Sequence, residues 1–412
     1  MAKYYFPEEI IREILLRLSH VKSHVRFTCV NKSWRSIIKS PSFVSAHLAR
    51  TNGSDNDSDR LLLLKHSGTE VNCLHDGSTT AIVTACLGEQ VTEEGKHKSK
   101  SFVEYAELRF PCKSLSRSFE VVGSCNGLVL LRRYTNTLIL WNPSIRKFVS
   151  LPKPDNAGYE GCKWASTGWG FGFDSLENDY KVVKIVNHVE IDGDMKVDSH
   201  VQVFSLNSGS WKTIGAVGVP GCRFLNDHRG TQAFTNGAIH WLTIARIEKE
   251  VFQNIVVSFD VSNEIFREIR LPTEIAYAFP SFLSISVYGK MVAVCVVSAS
   301  VHYMCCMWVM TECKSWTKLL SFDTINIPKP LGYTKAGELL WERDGGELTS
   351  YDPKSQKMVN HNVNGGRWGF CFANSYVETL VLLNEATEQT LQQGRVNKKR
   401  KTRNDDTLSF SI

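Results

Sequence analysis

"WNPSIRKF", residues 141 to 148, ends one apolar run, passes through a polar turn, and reaches a second large apolar residue seven positions after the tryptophan. The same layout recurs as "FSLNSGSW" at 204 to 211, "FDVSNEIF" at 259 to 266, "VMTECKSW" at 309 to 316 and "YDPKSQKM" at 351 to 358. Each copy follows another turn-then-strand unit: Asn126-Gly127 before "LVLLRR", Asn178-Asp179 before "YKVVKIV", Asn236-Gly237 before "AIHWLTI", Tyr288-Gly289 before "KMVAVCVV" and Ala336-Gly337 before "ELLWER". The second residues of these turns lie 52, 58, 52 and 48 positions apart. Asn-Gly and Asn-Asp favour the left-handed conformations of tight hairpins. Two hairpins per unit make a four-stranded sheet, and this period is that of β-propeller blades. Residues 61–384 are therefore expected to form one propeller, with 61–118 as a sixth blade and "VETLVLL" at 377 to 383 as the closing strand. A two-sheet sandwich is the other β fold consistent with the pattern.

The first 45 residues are different in kind. Pro7 suits a first helical position, and Glu8 and Glu9 complement the positive helix start. Ile10, Ile11, Ile14, Leu15 and Leu18 read as one apolar stripe. Phe27, Val30, Trp34, Ile37 and Ile38 repeat at helical spacing in a second helical segment that Ser40-Pro41 stops. So small a module rarely buries that much apolar surface by itself. Part of it is expected to meet another protein. Residues 46–60, which include "RTNGSDNDSDR", read as a solvated linker, and 385–412 as a polar, basic tail.

The module resembles the F-box, whose motif runs Leu-Pro-x-Asp/Glu, Ile-Leu-x-Arg-Leu-Pro, Arg-Phe-x-Cys-Val-x-Lys-x-Trp and Pro-x-Phe. The chain has Phe6-Pro7-Glu8-Glu9, Ile14-Leu15-Leu16-Arg17-Leu18, Arg26-Phe27-Thr28-Cys29-Val30-Asn31-Lys32-Ser33-Trp34 and Pro41-Ser42-Phe43. Phe6 replaces the usual Leu, and Ser19-His20 stands where the family has a single Pro. Residues 61–384 resemble the kelch-related F-box-associated domain of plant F-box proteins, through "WNPSIRKFVSLP" and "GFGFDSLENDYKVVKI". The usual kelch Gly-Gly with spaced Tyr and Trp is absent. The resemblance implies a mainly β chain with a small α N-terminal module, a helical F-box followed by a kelch-like β-propeller. It further implies a non-catalytic subunit of an SCF-type ubiquitin ligase. Phe6, Pro7, Ile10, Ile14, Leu15, Leu18, Val25, Phe27, Val30, Trp34 and Ile38 would then bind a Skp-family adaptor, and through it cullin and RING subunits, while the propeller holds an unknown target protein. The alternative from another class is a propeller scaffold uncoupled from any ligase, braced by its own helical module.

Composition narrows the partners. The formal net charge is +6, yet residues 1–50 hold nine Lys/Arg against three Asp/Glu and residues 395–412 hold six against two. The basic excess sits at the two ends, so a global nucleic-acid surface is not indicated. Acids at Glu8, Glu9 and Glu13 interrupt the apolar stretch a secretory signal needs, and "MVAVCVVSASV" at 291 to 301 is too short to span a bilayer. Twelve cysteines without C-x-x-C spacing point to reduced thiols in cytoplasm or nucleus, with no metal and no cofactor expected. "VNKKRKTR" at 396 to 403 could serve nuclear import.

Three motifs were weighed for chemistry. "GSCNG" at 123 to 127 imitates a nucleophile elbow around Cys125, but the strand "LVLLRR" follows where that elbow requires a helix. "GWGFGF" at 168 to 173 imitates a phosphate loop, yet its alternating aromatics read as a strand with close backbone contacts. His240-Trp241 falls inside a repeated strand and reads as core.

Overall fold

A computed structural model of the chain describes residues 6–381 apart from residue 19 and the segments 54–60, 67–83, 95–96, 109–118, 134–136, 156–164, 189–198, 217–220, 226–231, 249–250, 299–302, 312–314, 325–328, 335–336, 344–345 and 365–369. Four helices open it: α1 (Glu8–Leu16), α2 (Val21–Phe27), α3 (Lys32–Lys39) and α4 (Pro41–Gly53). Ser40-Pro41 stops the second helical segment as expected, α3 ending at Lys39, but the sequence pattern predicts no helix from Pro41 and a linker over residues 46–60. Instead Pro41 is the first residue of α4, where its missing N–H costs nothing.

The strands form six sheets. Five use consecutive strands. These are β4 (Phe119–Cys125) to β7 (Lys147–Ser150), with β5 (Leu128–Arg133) and β6 (Leu138–Asn142) between; β8 (Ala165–Asp174), β9 (Asp179–His188), β10 (Ser199–Ser205) and β11 (Ser210–Ile214); β12 (Cys222–Phe224) and β13 (Ala233–Thr235), both on β14 (Ala238–Glu248), then β15 (Val251–Asp260) and β16 (Ile265–Arg270); β17 (Leu283–Tyr288), β18 (Met291–Ser298), β19 (Tyr303–Met310) and β20 (Trp316–Thr324); and β21 (Lys329–Tyr333), β22 (Leu339–Glu342), β23 (Glu347–Asp352) and β24 (Lys357–Asn364). The sixth joins the two ends of the propeller: β1 (Leu61–His66), β2 (Thr84–Glu94) and β3 (His97–Leu108) take β25 (Phe370–Tyr376) as their inner strand. The closing strand is thus Phe370–Tyr376; of the expected 377–383, residues 377–381 are not strand and 382–383 lie outside the described residues. The inner edges of the sheets succeed one another in a closed ring: β4 touches β8, β8 touches β12 and β14, β13 touches β17, β17 touches β21, β21 touches β25 and β25 touches β4.

The octapeptide repeat sets the outer hairpins. Trp141 faces Phe148, Phe204 faces Trp211, Phe259 faces Phe266 and Tyr351 faces Met358 as direct cross-strand partners. Such pairs contribute roughly 0.2–1 kcal/mol each. In the remaining copy Trp316 faces Met310, one place off the expected Val309, and the Thr311 amide donates to the Ser315 carbonyl at 2.8 Å. The sixth octapeptide position is left-handed in the other four, at Arg146, Gly209, Glu264 and Gln356, although only one is glycine. The second position offsets that strain by accepting turn amides: Asn142 from Ser144, Asp260 from Ser262 and Asn263, Asp352 from Lys354. "FDSLENDY" at 173 to 180 is a further copy, with Asn178 left-handed, Asp174 accepting from the Leu176 and Glu177 amides, and Phe173 facing Tyr180. It joins an inner hairpin where a two-residue turn was expected.

"GWGFGF" lies in β8, where the glycines admit the next blade. A Cβ on Gly168, Gly170 or Gly172 would meet Phe224, Trp241 or Phe234 respectively. Trp241 Nε1 donates to the Trp169 carbonyl at 2.7 Å across the same boundary. A buried ion pair ties the same two blades: Lys181 Nζ lies 2.7 Å from Asp174 Oδ2 and donates to the Val261 carbonyl, while Ser262 donates to Asp174. Burial opposes the charge of Asp174, but the hydrogen bonds from Lys181, Ser262 and two backbone amides outweigh it and hold the carboxyl at about 2. Gly170→Ala is expected to destabilise the propeller by about 1–3 kcal/mol, since its new carbon would sit 2.4 Å from Trp241 Cζ2 in a packed core. Urea unfolding checks this, and an unshifted midpoint would contradict the blade packing.

Candidate functional site

The helical module is held by its own caps. Asn31 Oδ1 accepts from the Trp34 amide at 2.7 Å to start α3, and Ser40 Oγ accepts from the Phe43 amide at 3.3 Å to start α4. Its core comprises Leu15, Leu16, Val21, Ile37, Ile38 and Phe43.

The structure divides the residues expected to bind an adaptor. Phe6, Pro7, Ile10 and Ile14 are exposed, Ile14 at 55%, and follow one side of α1 at a spacing of four. Val25 and Val30 are exposed on α2 and just after it. Leu18, Phe27 and Trp34 are half-buried, the last two in an edge-on contact at 5.3 Å. Leu15 and Ile38, at 1% and 0% exposure, are core residues and form no part of an outer surface. The apolar stripe read from the sequence is therefore two surfaces, one facing inward around Leu15 and one outward around Ile14.

The module is seated on the propeller. Leu380, from the segment after β25, is buried in the module's core, and Ile145, from the turn between β6 and β7, packs against it. Asn52 Nδ2 of α4 donates to Asn126 Oδ1 in the turn between β4 and β5 at 3.3 Å. Within an antiparallel blade the first-to-second and third-to-fourth connections share one end, so the module occupies the propeller face carrying the tight turns. Connections between second and third strands and between blades emerge on the other face. There Ile247, Val251 and Phe252 at the β14–β15 tip and Tyr277 and Phe279 in the segment after β16 are exposed. Asn254 Nδ2 braces that segment by donating to the Ala278 carbonyl at 2.7 Å. Sequence reasoning located neither surface. Ile145 was a legible signal, a large apolar residue where the other four copies carry Ser208, Asn263, Cys313 and Ser355.

The three motifs weighed for chemistry have structural roles. Cys125 is buried at the end of β4 and followed by the left-handed pair Asn126-Gly127, and burial pushes its thiol pKa up, opposite to what a nucleophile needs. His240 is buried, its pKa lowered to about 4 by burial, with Nδ1 3.3 Å from the Ala233 carbonyl. Between the inner strands lies a cavity of about 50 Å³ lined by residues including Ser124, Gln232, Ser286 and Asn374. That is well below the roughly 300 Å³ at which small-molecule sites begin. Among the described residues no three His, Cys, Asp or Glu cluster to hold a metal, and no helix is long and apolar enough to cross a membrane.

A ring of small sheets carrying a four-helix module on one face defines a propeller receptor with a docking appendage. Comparison with known proteins agrees: the F-box associated beta propeller domain family matches residues 85–363 and the F-box domain matches residues 5–45. The chain belongs to the F-box proteins with an F-box associated β-propeller. It is similar to F-box protein At3g07870 of Arabidopsis thaliana, 28% identical with 87% of this chain and 88% of that protein covered. It is also similar to F-box protein CPR1 of the same plant, 27% identical over 85% and 83%, and to F-box/kelch-repeat protein At3g23880, 25% identical over 93% and 97%.

A buried histidine ties the start of α2 to the end of α1. His20 precedes α2, and His24 sets Nε2 2.8 Å from the Leu15 carbonyl and Nδ1 3.1 Å from the His20 carbonyl, with the His47 ring edge-on at 4.8 Å. Burial lowers the pKa of His24 against the pull of those carbonyls. It lowers His47 to about 4, helped by the charges of His24 and Arg50. Unfolded histidines titrate near 6.5, so between that value and about 4 the unfolded chain binds more protons and stability is lost as the pH is lowered. The module's melting temperature is expected to drop across this window, and His47→Gln to flatten the drop. A wild-type profile as flat as the variant's would contradict the assignment.

Proposed function

We propose that the chain is the target-recognition subunit of an SCF-type ubiquitin ligase, acting in cytoplasm or nucleus. Phe6, Pro7, Ile10, Ile14, Val25 and Val30 dock on a Skp-family adaptor, with Leu18, Phe27 and Trp34 at the border, and the adaptor connects to cullin and RING subunits. The observation that carries this reading is the exposed apolar side of a capped, well-packed helical module, which a monomer has no reason to leave in water. The target binds the face opposite the module, where exposed Phe252, Tyr277 and Phe279 supply the large rings that dominate binding hot spots. The chain's contribution is proximity: it holds target lysines near a conjugating enzyme that performs the bond chemistry. A helical module serving only as a brace would turn its apolar residues inward, as Leu15 does, and would leave Ile14 polar.

Because Ile14 is exposed, Ile14→Asp is expected to leave the fold intact and weaken adaptor capture about thirtyfold or more. Affinity capture from plant cells with wild type and variant as paired baits checks this. The variant should lose the adaptor, retain the propeller-bound target and let that target accumulate. Undiminished adaptor capture by the variant, or a target level that never changes, would refute the reading.

A further inference from the structure

The five residues after β25 leave the propeller and enter the helical module. Residues 377–381 belong to no helix or strand, and Thr379 and Leu380 are buried. The turn between β6 and β7 grips them. Asn142 Nδ2 donates to the carbonyls of Thr379 at 3.2 Å and Val381 at 2.8 Å, and the Thr379 amide donates to Ser144 Oγ at 3.2 Å. The Ser144 hydroxyl lies in turn 2.6 Å from the Tyr376 hydroxyl, fixing the grip to the last residue of β25. Gly127 leaves room for the segment, since a Cβ there would come within 2.4 Å of Thr379 Cγ2 and 2.5 Å of the Val377 carbonyl oxygen. Leu380 then projects among Leu15, Leu16, Val21, Ile37, Ile38 and Phe43.

We propose that residues 377–381 form a clamp that fixes the orientation of the F-box relative to the target-bearing face, with Leu380 and Asn142 as its positioning residues. A small module joined to a larger domain by one covalent connection keeps rotational freedom. A second attachment removes it, and here that attachment is made of the residues that follow the ring-closing strand. Closing the propeller and seating the F-box are consequently one linked event, since β25 pairs with β1 and its continuation completes the helical core. The consequence for ubiquitin transfer rests on the ligase reading. A fixed module holds target lysines at a constant distance from the conjugating enzyme, whereas a swinging one dilutes their effective concentration.

The clamp itself is tested on the full chain without adaptor, by pulsed dipolar distance measurement between spin-labelled non-natural residues at exposed Lys32 and Lys354. Wild type is expected to give one narrow distance peak. Leu380→Ser and Asn142→Ala should each lose it to a broad distribution, and Leu380→Met should restore it. Asn142 ends β6, outside the helical core, so its variant removes the donor that holds the segment without a hole beneath the F-box. A peak as narrow as wild type in both variants would overturn the proposal. So would broadening in Asn142→Ala accompanied by fast amide exchange throughout α1–α4, which would make the segment a mere part of the module's core. Adaptor capture by the wild-type chain is scored separately. Its failure would remove the link to ubiquitin transfer and leave the distance result standing.

Discussion

The pairing of β25 with β1 is the constraint on which the other features depend. Leu61 faces Tyr376 and Leu64 faces Ala373, so hydrogen bonds between the two ends of the propeller convert a row of sheets into a ring. Without that pair β1 and the innermost position of its blade would offer unpaired edges to other chains. With it, the inner edges of the sheets adjoin one another around the ring, and the apolar clusters between blades, such as Val183 and Ile185 against Phe224, Ile239 and Trp241, are enclosed. The same strand carries the chain onward to the helical module, so one pairing determines both the ring and its appendage.

Neighbouring blades show how little freedom the ring leaves. Three glycines in β8 face three rings of the following blade, and the tryptophan among those rings donates back to β8. Beside them Lys181 is buried against Asp174, with Glu264 and the Val261 carbonyl from the next blade also in reach. Removing one member of a buried pair usually costs more than the pair contributes, because the survivor stays charged and desolvated. A sequence that looked like a phosphate loop is thus a packing device, and the cavity at the ring's centre is too small for the substrate such a loop would hold.

The sequence made the propeller legible because the octapeptides combine two physical requirements, a cross-strand apolar pair and a polar turn, at one fixed spacing. Trp141, Phe204, Phe259 and Tyr351 met their expected partners for that reason. Trp316 did not, since it pairs with Met310, and the spacing of large residues does not reveal a register moved by one place. In the helical module, periodicity could say that Ile10, Ile14 and Leu15 were apolar but not which of them faced inward. That depends on the angles among four helices, one of which began at a proline read as a stop. Leu380 was invisible as an F-box residue because it lies more than 300 positions away in sequence from the core it completes.

The proposed adaptor role requires that the exposed apolar surface of the helical module be covered by one adaptor molecule. Isothermal titration of the full chain with a purified Skp-family adaptor at several temperatures measures that directly. The account predicts one adaptor per chain, a Kd below micromolar and a clearly negative heat-capacity change as Phe6, Ile10, Ile14, Val25 and Val30 leave water. Absence of binding heat at micromolar concentrations of both proteins, at every temperature, would contradict it.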